Sequence, residues 1–352
     1  MSGPGIDAAI ATGDGYTIAE NTSLKDRNTF HVPARAAWLI DVREPQALAE
    51  VFGHAALKTQ PLLVLGEGSN ILFTRDWPGV VLSMVSRGIR LLDDDGERAH
   101  LRVQAGENWN DFVRWSLARG FVGLENLILI PGTVGAAPIQ NIGAYGTEIR
   151  EFIAHVEAWD RDANRFVRIA HADCAFDYRD SVFKRTRGRY IVTAVEFDLP
   201  RHHELRMDYA DVREELAALG IAKPSAPTLA EAIARIRTRK LADPARLGNA
   251  GSFFKNPLVD MARAAALRRA HPALPVWPAH DGHSKLSAAW LIQACGFKGL
   301  REGDAAVSEQ HALVLVNHGS ASGAQILALA ERIRATVRER FGIELEPEPM
   351  IV

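Results

Sequence analysis

Hydrophobic positions recur along the chain with two different periods, and the switches between them outline its organisation. From 37 to 84 short apolar runs alternate with one helical stretch. Residues 38–42, 61–65 and 80–84 read as strands, and 45–57 as a helix opened by Pro45. From 89 to 199 strand-like segments dominate. Residues 101–105 alternate, and 190–199 is rich in β-branched and aromatic residues. A helix over about 110–118 interrupts them. The third region opens with Thr228-Leu229-Ala230-Glu231, the pattern of a capping box, with Leu229, Ile233 and Ile236 on one face. Arg237, Arg239 and Lys240 fall in its last turn, where the helix dipole favours cations. The final helix, 324–341, carries Ile326, Leu329, Ile333, Val337 and Phe341 on one face, and Gly342 is placed to end it. The pattern predicts an α+β chain with domains over 16–84, 85–226 and 227–352.

Composition adds mainly exclusions. The chain has 352 residues, 47% hydrophobic and 24% charged, ample for a buried core. Its 41 basic and 43 acidic residues give a net charge of -2, so no basic excess points to nucleic acid and no polybasic run to a membrane surface. Any bound anion must therefore meet a local cluster of Arg, Lys and backbone N–H groups. Two cysteines, Cys174 and Cys295, are too few for a disulfide framework and suggest a reducing compartment. No Cys/His cluster has zinc spacing, so no metal is expected. Residues 1–15 carry no Lys or Arg and no long apolar run, which predicts a disordered Gly/Ala-rich tail rather than a signal peptide. No apolar window approaches the ~18 residues of a membrane span.

Two glycine-punctuated loops are the candidate chemistry. Residues 61–65 form an apolar run that leads into Gly66-Glu67-Gly68-Ser69-Asn70. Glycines let backbone N–H groups converge on a phosphate, and Ser and Asn add short donors. A Rossmann fingerprint needs a third glycine and a following helix, whereas Ile71-Leu72-Phe73 reads as a strand. A plain hairpin turn is the competing reading. Residues 131–146 contain four glycines and little charge, a surface suited to close backbone approach to a large flat ligand or to a tightly packed turn between core strands.

LGEGSN (65–70) followed by GLENLILIPGTVGAAPIQNIGAYG (123–146) resembles the FAD-binding half of the UDP-N-acetylenolpyruvoylglucosamine reductase family. The resemblance continues through YRDSVFK (178–184), GNAGSFFKNP (248–257), KLSAAWLIQACGFKG (285–299) and LEPE (345–348), so it spans about 28–348 in order. It implies a vanillyl-alcohol-oxidase/PCMH-type FAD-binding fold of two subdomains, 16–84 and 85–226. A third, α+β substrate-binding domain, 227–352, follows, with a tail from about 343 returning to the active site. It implies noncovalent FAD and NADPH as reductant, UDP-N-acetylglucosamine enolpyruvate as substrate, and a cytoplasmic monomer that makes a peptidoglycan precursor.

The resemblance also assigns roles. Gly66, Glu67, Gly68, Ser69, Asn70, Pro131, Gly132, Gly135, Ala136, Ile139, Gln140, Asn141, Gly143, Ala144, Tyr145 and Arg237 would bind the cofactor. Tyr145, Tyr178, Tyr209, Lys240, Asn256 and Lys285 would bind the substrate, with Arg237 and Lys240 near its pyrophosphate and Gln310 a weaker candidate. Tyr209 marks the type I form, in which this tyrosine closes over the UDP. Reducing an enol ether needs a hydride, a proton, and a clamp for developing negative charge. Arg179 would be the clamp, Ser252 the proton donor and Glu348 the group that helps hold the intermediate. Taken alone, Arg179 beside Asp180 reads as a structural ion pair, Ser252 as a turn residue, and Glu348 as part of a solvated tail. Pro349-Met350 departs from the Val-Arg that the family often has. Two other readings stay open. A flavin oxidase of the same fold would often tether FAD through a His or Cys near the pyrophosphate loop, and 66–70 contains neither. A non-catalytic nucleotide-sugar-binding protein would have no use for Arg179, Ser252 and Glu348 together.

Overall fold

The structure, a computed structural model, describes residues 9–54, 57, 59–279 and 282–352. It divides into two compact units: one of residues up to Thr22, Ala36–Glu67 and Pro78–Arg237, the other of Ser23–Arg35, Gly68–Trp77 and Thr238–Val352.

In the first unit one sheet has the order Ala9–Gly13, Tyr16–Ser23, Arg35–Val42, Trp77–Met84, Leu62–Val64. Its inward residues, among them Ile40, Val42, Val80 and Leu82, are buried against Leu48 and Val51. Over the expected helix 45–57 the described residues form a 3-10 turn, Pro45–Ala47, and a helix, Leu48–Gly53, with Leu57 helical as well; residues 55 and 56 lie outside the described residues. The expected disordered tail is also corrected where it is described. Ala9–Gly13 is a strand paired antiparallel with Tyr16–Ser23, and Gly15 supplies the positive φ of the turn, 87°. Asp14-Gly15 punctuates a hairpin, whereas composition alone suggested flexibility. Residues 1–8 of that tail lie outside the described residues.

The second sheet of this unit is wholly antiparallel, ordered Arg165–Ala170, Ile153–Asp160, Tyr190–Pro200, Arg98–Gln104, Ile89–Asp94. Its central strand, Tyr190–Pro200, buries Val195, Phe197 and Leu199. The helix Trp109–Ala118 packs here, its Phe112 ring 4.9 Å from Phe197, and Asn108 caps it by accepting from Asp111 N. Between Val195 and Phe197, Glu196 points to the opposite face, where Arg168 donates to both carboxylate oxygens at 2.7 Å and His100 Nε2 lies 2.8 Å away. The helix Ala226–Lys240 buries Leu229, Ile233 and Ile236 as the spacing predicts. Its cap differs from the prediction: Ser225 and Thr228 bond reciprocally, Ser225 N to Thr228 Oγ1 (2.7 Å) and Thr228 N to Ser225 Oγ (3.4 Å). Glu231 instead pairs with Arg235 one turn on. The helix starts earlier because Pro227 is tolerated within a first turn.

The second unit holds a four-stranded sheet, Gly248–Ser252, Val314–Asn317, Ala305–Val307, Arg301–Glu302, and a three-stranded one, Leu258–Asp260, His283–Leu286, Val276–Pro278. The helix Gly323–Phe341 matches its prediction. It has a Ser322/Gln325 capping box, the five apolar residues named above are buried, and Gly342 closes it at φ 63°. The run after the first glycine loop does become a strand, Ile71–Leu72, paired in parallel with Met350–Ile351 of the tail. Asn28 anchors the N-terminal insert of this unit by donating to Leu24 O (2.8 Å) and Val32 O (3.1 Å). Among the described residues no helix is long and apolar enough to cross a membrane.

Arg168 and His100 hold Glu196 down to about 2, from an ordinary 4.5. A depressed carboxylate pKa contributes stability that is fully present above pH 4.5 and lost as pH falls through about 2. Glu196→Gln should therefore cost about 3 kcal/mol at pH 7 and flatten the acid limb of the stability curve. Urea unfolding at pH 7, 4 and 2 checks this; an unchanged acid limb would show that the cluster contributes nothing.

Candidate active site

In the first unit the glycine loops are braced by polar side chains that are buried or half-buried. A Cβ on Gly66 would lie 2.9 Å from Thr133 Oγ1. The Glu67 carboxylate accepts from Asn108 Nδ2 (2.7 Å) and from the Gly132 amide (3.0 Å), tying the first loop to the second. A Cβ on Gly135 would lie 2.6 Å from Ala105 Cβ, and the Gly135 amide donates to Ala105 O (2.8 Å). At Gly66 and Gly135 the close neighbour that requires glycine is thus the protein itself. After the 3-10 turn Val134–Ala136, the side chain of Asn141 (φ 44°) is spent on the loop: Nδ2 donates to Glu148 Oε2 (3.1 Å) and Asp177 O (3.0 Å), and Oδ1 accepts from Arg150 N (3.1 Å). Gly143–Ala144 pairs with Thr147–Glu148 through a two-residue turn of Tyr145 (φ 49°) and Gly146 (φ 83°). Positive φ is uncommon for tyrosine, and Asn126 holds this turn by donating to Tyr145 O (2.9 Å). Pro131 is exposed; Ala136, Ile139, Gln140 and Ala144 are half-buried.

The cations of this unit gather on the same loop. Asp177 and Asp180 exchange backbone hydrogen bonds of 3.0 and 3.1 Å, leaving Tyr178 and Arg179 as a two-residue turn with Arg179 at φ 54°. Arg179 donates to Gly143 O (2.8 Å), and its guanidinium lies 5.5 Å from the Tyr178 ring centre. Asp180 pairs with Arg185. Arg237 reaches Leu129 O at 3.3 Å, while its Nε is buried and meets no hydrogen-bond acceptor. Burial holds the Arg237 pKa below the ordinary guanidinium value; Tyr145 opposes that shift and Arg179 adds to it. Tyr145 is pushed up to about 12 by burial and then by Asp211. Its ring centre is 5.4 Å from that of the exposed Tyr209.

In the second unit Gly68 takes φ 66°, and a Cβ there would sit 2.1 Å from Arg27 O. Ser69 and Asn70 follow, both half-buried. Asn70 O accepts from Met350 N (3.0 Å), and Glu348 N donates to Phe253 O (2.8 Å). The tail is thereby sewn to the segment that carries Ser252, and Ser252 and Glu348, both half-buried, become near neighbours in the chain pairing. Lys255 pairs with Glu346, which separates the roles of the two tail glutamates. Asn256 Oδ1 accepts from Ala288 N (3.0 Å) at a helix start. Lys285 lies on the three-stranded sheet between Leu258 and Trp277, both exposed. Lys240 is exposed, and so is Gln310. The next residue, His311, is the more enclosed one. Burial, then Lys240 and Lys298, hold its pKa below the ordinary value, and its Nδ1 accepts from Leu313 N (3.2 Å). Sequence reasoning missed His311, Asn126 and the buried Glu125; the last two lie inside the GLENLILI run, just ahead of the glycine-rich stretch 131–146.

Residues 36–167 match the FAD binding domain family, and residues 243–352 match the family described as UDP-N-acetylenolpyruvoylglucosamine reductase, C-terminal domain. An FAD-binding domain joined to that second domain defines a flavin-dependent oxidoreductase. UDP-N-acetylenolpyruvoylglucosamine reductase of Xanthomonas axonopodis pv. citri is 54% identical over 96% of this chain and 97% of its own. The protein of that name from Xanthomonas oryzae pv. oryzae is 54% identical over 95% and 99%. The chain belongs to the UDP-N-acetylenolpyruvoylglucosamine reductase family. A crystal structure of the Thermus caldophilus reductase superposes with a TM-score of 0.66 at 25% identity, covering 96% of this chain and 98% of that one.

The bracing of the loop by Asn141 is directly testable. Asn141→Ala strands two acceptors and one donor, and should destabilise the protein by about 2 kcal/mol or more. Thermal unfolding against wild type measures it, and a change under about 0.5 kcal/mol, the size of an ordinary surface substitution, would contradict the assignment.

Proposed function

We propose that this chain reduces UDP-N-acetylglucosamine enolpyruvate to UDP-N-acetylmuramate with noncovalent FAD and NADPH, as a cytoplasmic monomer serving peptidoglycan synthesis. Membership of the reductase family over nearly the whole length carries the reading. In this reading 16–84 and 85–226 are the two FAD-binding subdomains and 227–352 the substrate domain.

The residues fit FAD. A buried guanidinium nitrogen without an acceptor, beside a second arginine, calls for an anionic or carbonyl-rich ligand, and the loop presents backbone fixed in place by internal braces. Gly66, Gly68, Ser69, Asn70, Pro131, Gly132, Gly135, Ala136, Ile139, Gln140, Gly143, Ala144, Tyr145 and Arg237 would hold it. Glu67 and Asn141 act by fixing that backbone, since their side chains are engaged within the protein. Held there, FAD would bring hydride-transfer chemistry to the terminal carbon of the enolpyruvyl group, with NADPH as the reductant.

The chain supplies the rest. As hydride arrives, negative charge spreads into the substrate carboxylate, and Arg179, anchored on Gly143 O, offers a permanently charged planar fork to it. Ser252 delivers a proton to the carbon bearing oxygen. Glu348 helps to hold the enolate-like intermediate. Tyr178, Tyr145 and Tyr209 close on the nucleotide-sugar, while Lys240, Asn256 and Lys285 meet its polar groups.

Ser252→Ala should still allow NADPH to bleach the flavin absorbance near ~450 nm, yet lose reduction of the enolpyruvyl substrate by about a hundredfold or more. Stopped-flow traces of the two half-reactions separate these outcomes; if both stay fast, Ser252 is not the acid. Denaturing precipitation should leave the yellow colour in the supernatant, and colour in the pellet would refute noncovalent binding.

A further inference from the structure

Residues 201–209 run without regular secondary structure from the end of the strand Tyr190–Pro200 to Tyr209, which precedes the helix Ala210–Ala218. Such a segment should wander, yet it is fastened at several points to the residues just before and within the glycine loop. Glu125 is fully buried, a costly place for a carboxylate unless its oxygens find donors. One oxygen accepts from Gly123 N at 2.7 Å, and the other meets His203 Nε2. Asn126, also buried, uses one amide group twice: it donates to Tyr145 O (2.9 Å) and to Arg206 O (3.1 Å), clamping loop and strap together. Arg206 closes the circuit through Gly146 O and a bidentate pair with Glu151, one arm of which measures 2.8 Å. Arg213 ties the far end by donating to Asp208 O (2.7 Å). At that end Tyr209, nearly half exposed, stands edge-on to Tyr145.

We propose that Glu125, Asn126 and His203 are positioning residues, which hold Tyr209 against Tyr145 and so set the affinity for the UDP-sugar; this rests on the role given to Tyr209 above. His203 cannot leave without stripping a donor from a carboxylate that water does not reach, so the strap opens only at a cost. None of the three touches the reacting atoms, and their effect passes through Tyr209.

The test is a double-mutant cycle on the full-length holoenzyme. His203→Ala should raise KM for the UDP-sugar roughly tenfold, within the range of coupling between contacting groups, with kcat and KM for NADPH changed less than about twofold. His203→Gln, which can still donate to Glu125, should restore most of the loss. In the Tyr209→Ala background His203→Ala should add nothing. Effects that multiply, an equal rise in KM for NADPH, or no rise at all would overturn the proposal. Trypsin cleavage at Arg206 without ligand gives a readout independent of substrate, and it should quicken in His203→Ala beyond what any fall in melting temperature accounts for. Should His203→Ala fail to fold, Arg206→Lys, at an exposed site, must show the same split between the two KM values in weaker form. Wild-type protein that turns over no UDP-sugar would overturn the functional reading, whereas unchanged cleavage would overturn the fastening itself.

Discussion

The first unit depends on a loop whose backbone is held from inside. Residues 131–146 have little charge of their own, and a segment this rich in glycine would cost much conformational entropy to order. Glu67, Asn126 and Asn141 supply the order by directing side-chain hydrogen bonds at loop backbone or its immediate supports. Each is a polar group that would be expensive to strand, so the arrangement is close to all-or-none. Arg179 joins the same system through Gly143 O. Arg237 Nε is one of several buried side-chain atoms among the described residues that meet no hydrogen-bond partner, and burial holds the Arg237 pKa below the ordinary guanidinium value.

The second unit works by strand addition. A C-terminal tail with no helix of its own gains a fixed place by pairing Met350–Ile351 with Ile71–Leu72 and by bonding Glu348 N to Phe253 O. Glu346 and Glu348, two residues apart, acquire different fates because the first meets Lys255 and the second lies on the backbone seam beside the Ser252 segment. Pro347 between them bridges to Phe254, which keeps the seam in register. The departure Pro349-Met350 from the family pattern does not disturb this, since Met350 still enters the parallel pair.

Much of this was legible from the residues. The last helix, its Ser322 cap aside, follows from a single apolar stripe and a terminal glycine, because burying that stripe decides the matter locally. The strand after Asn70 was readable for the same reason. What escaped was whatever depended on a partner distant in sequence. The Asp14-Gly15 hairpin was mistaken for a tail, since its partner strand gives it order. The close protein neighbours of glycines 66 and 135, Thr133 and Ala105, also lie far off in sequence and leave no local sign. Asp180 looked like the mate of Arg179, but the turn geometry sends it to Arg185. The buried Glu125 was unremarked because a lone carboxylate in an apolar run gives no clue to a histidine about eighty residues on.

The central claim is that the enolpyruvyl nucleotide-sugar, rather than dioxygen, is the natural acceptor. The direct measurement is to reduce the purified holoenzyme with NADPH without oxygen, then mix it rapidly with UDP-N-acetylglucosamine enolpyruvate or with aerated buffer while following flavin absorbance. The account predicts fast return of the oxidised spectrum with the nucleotide-sugar, a product heavier by two hydrogens, and slow return with oxygen. Fast reoxidation by oxygen together with inertness toward the nucleotide-sugar would contradict it.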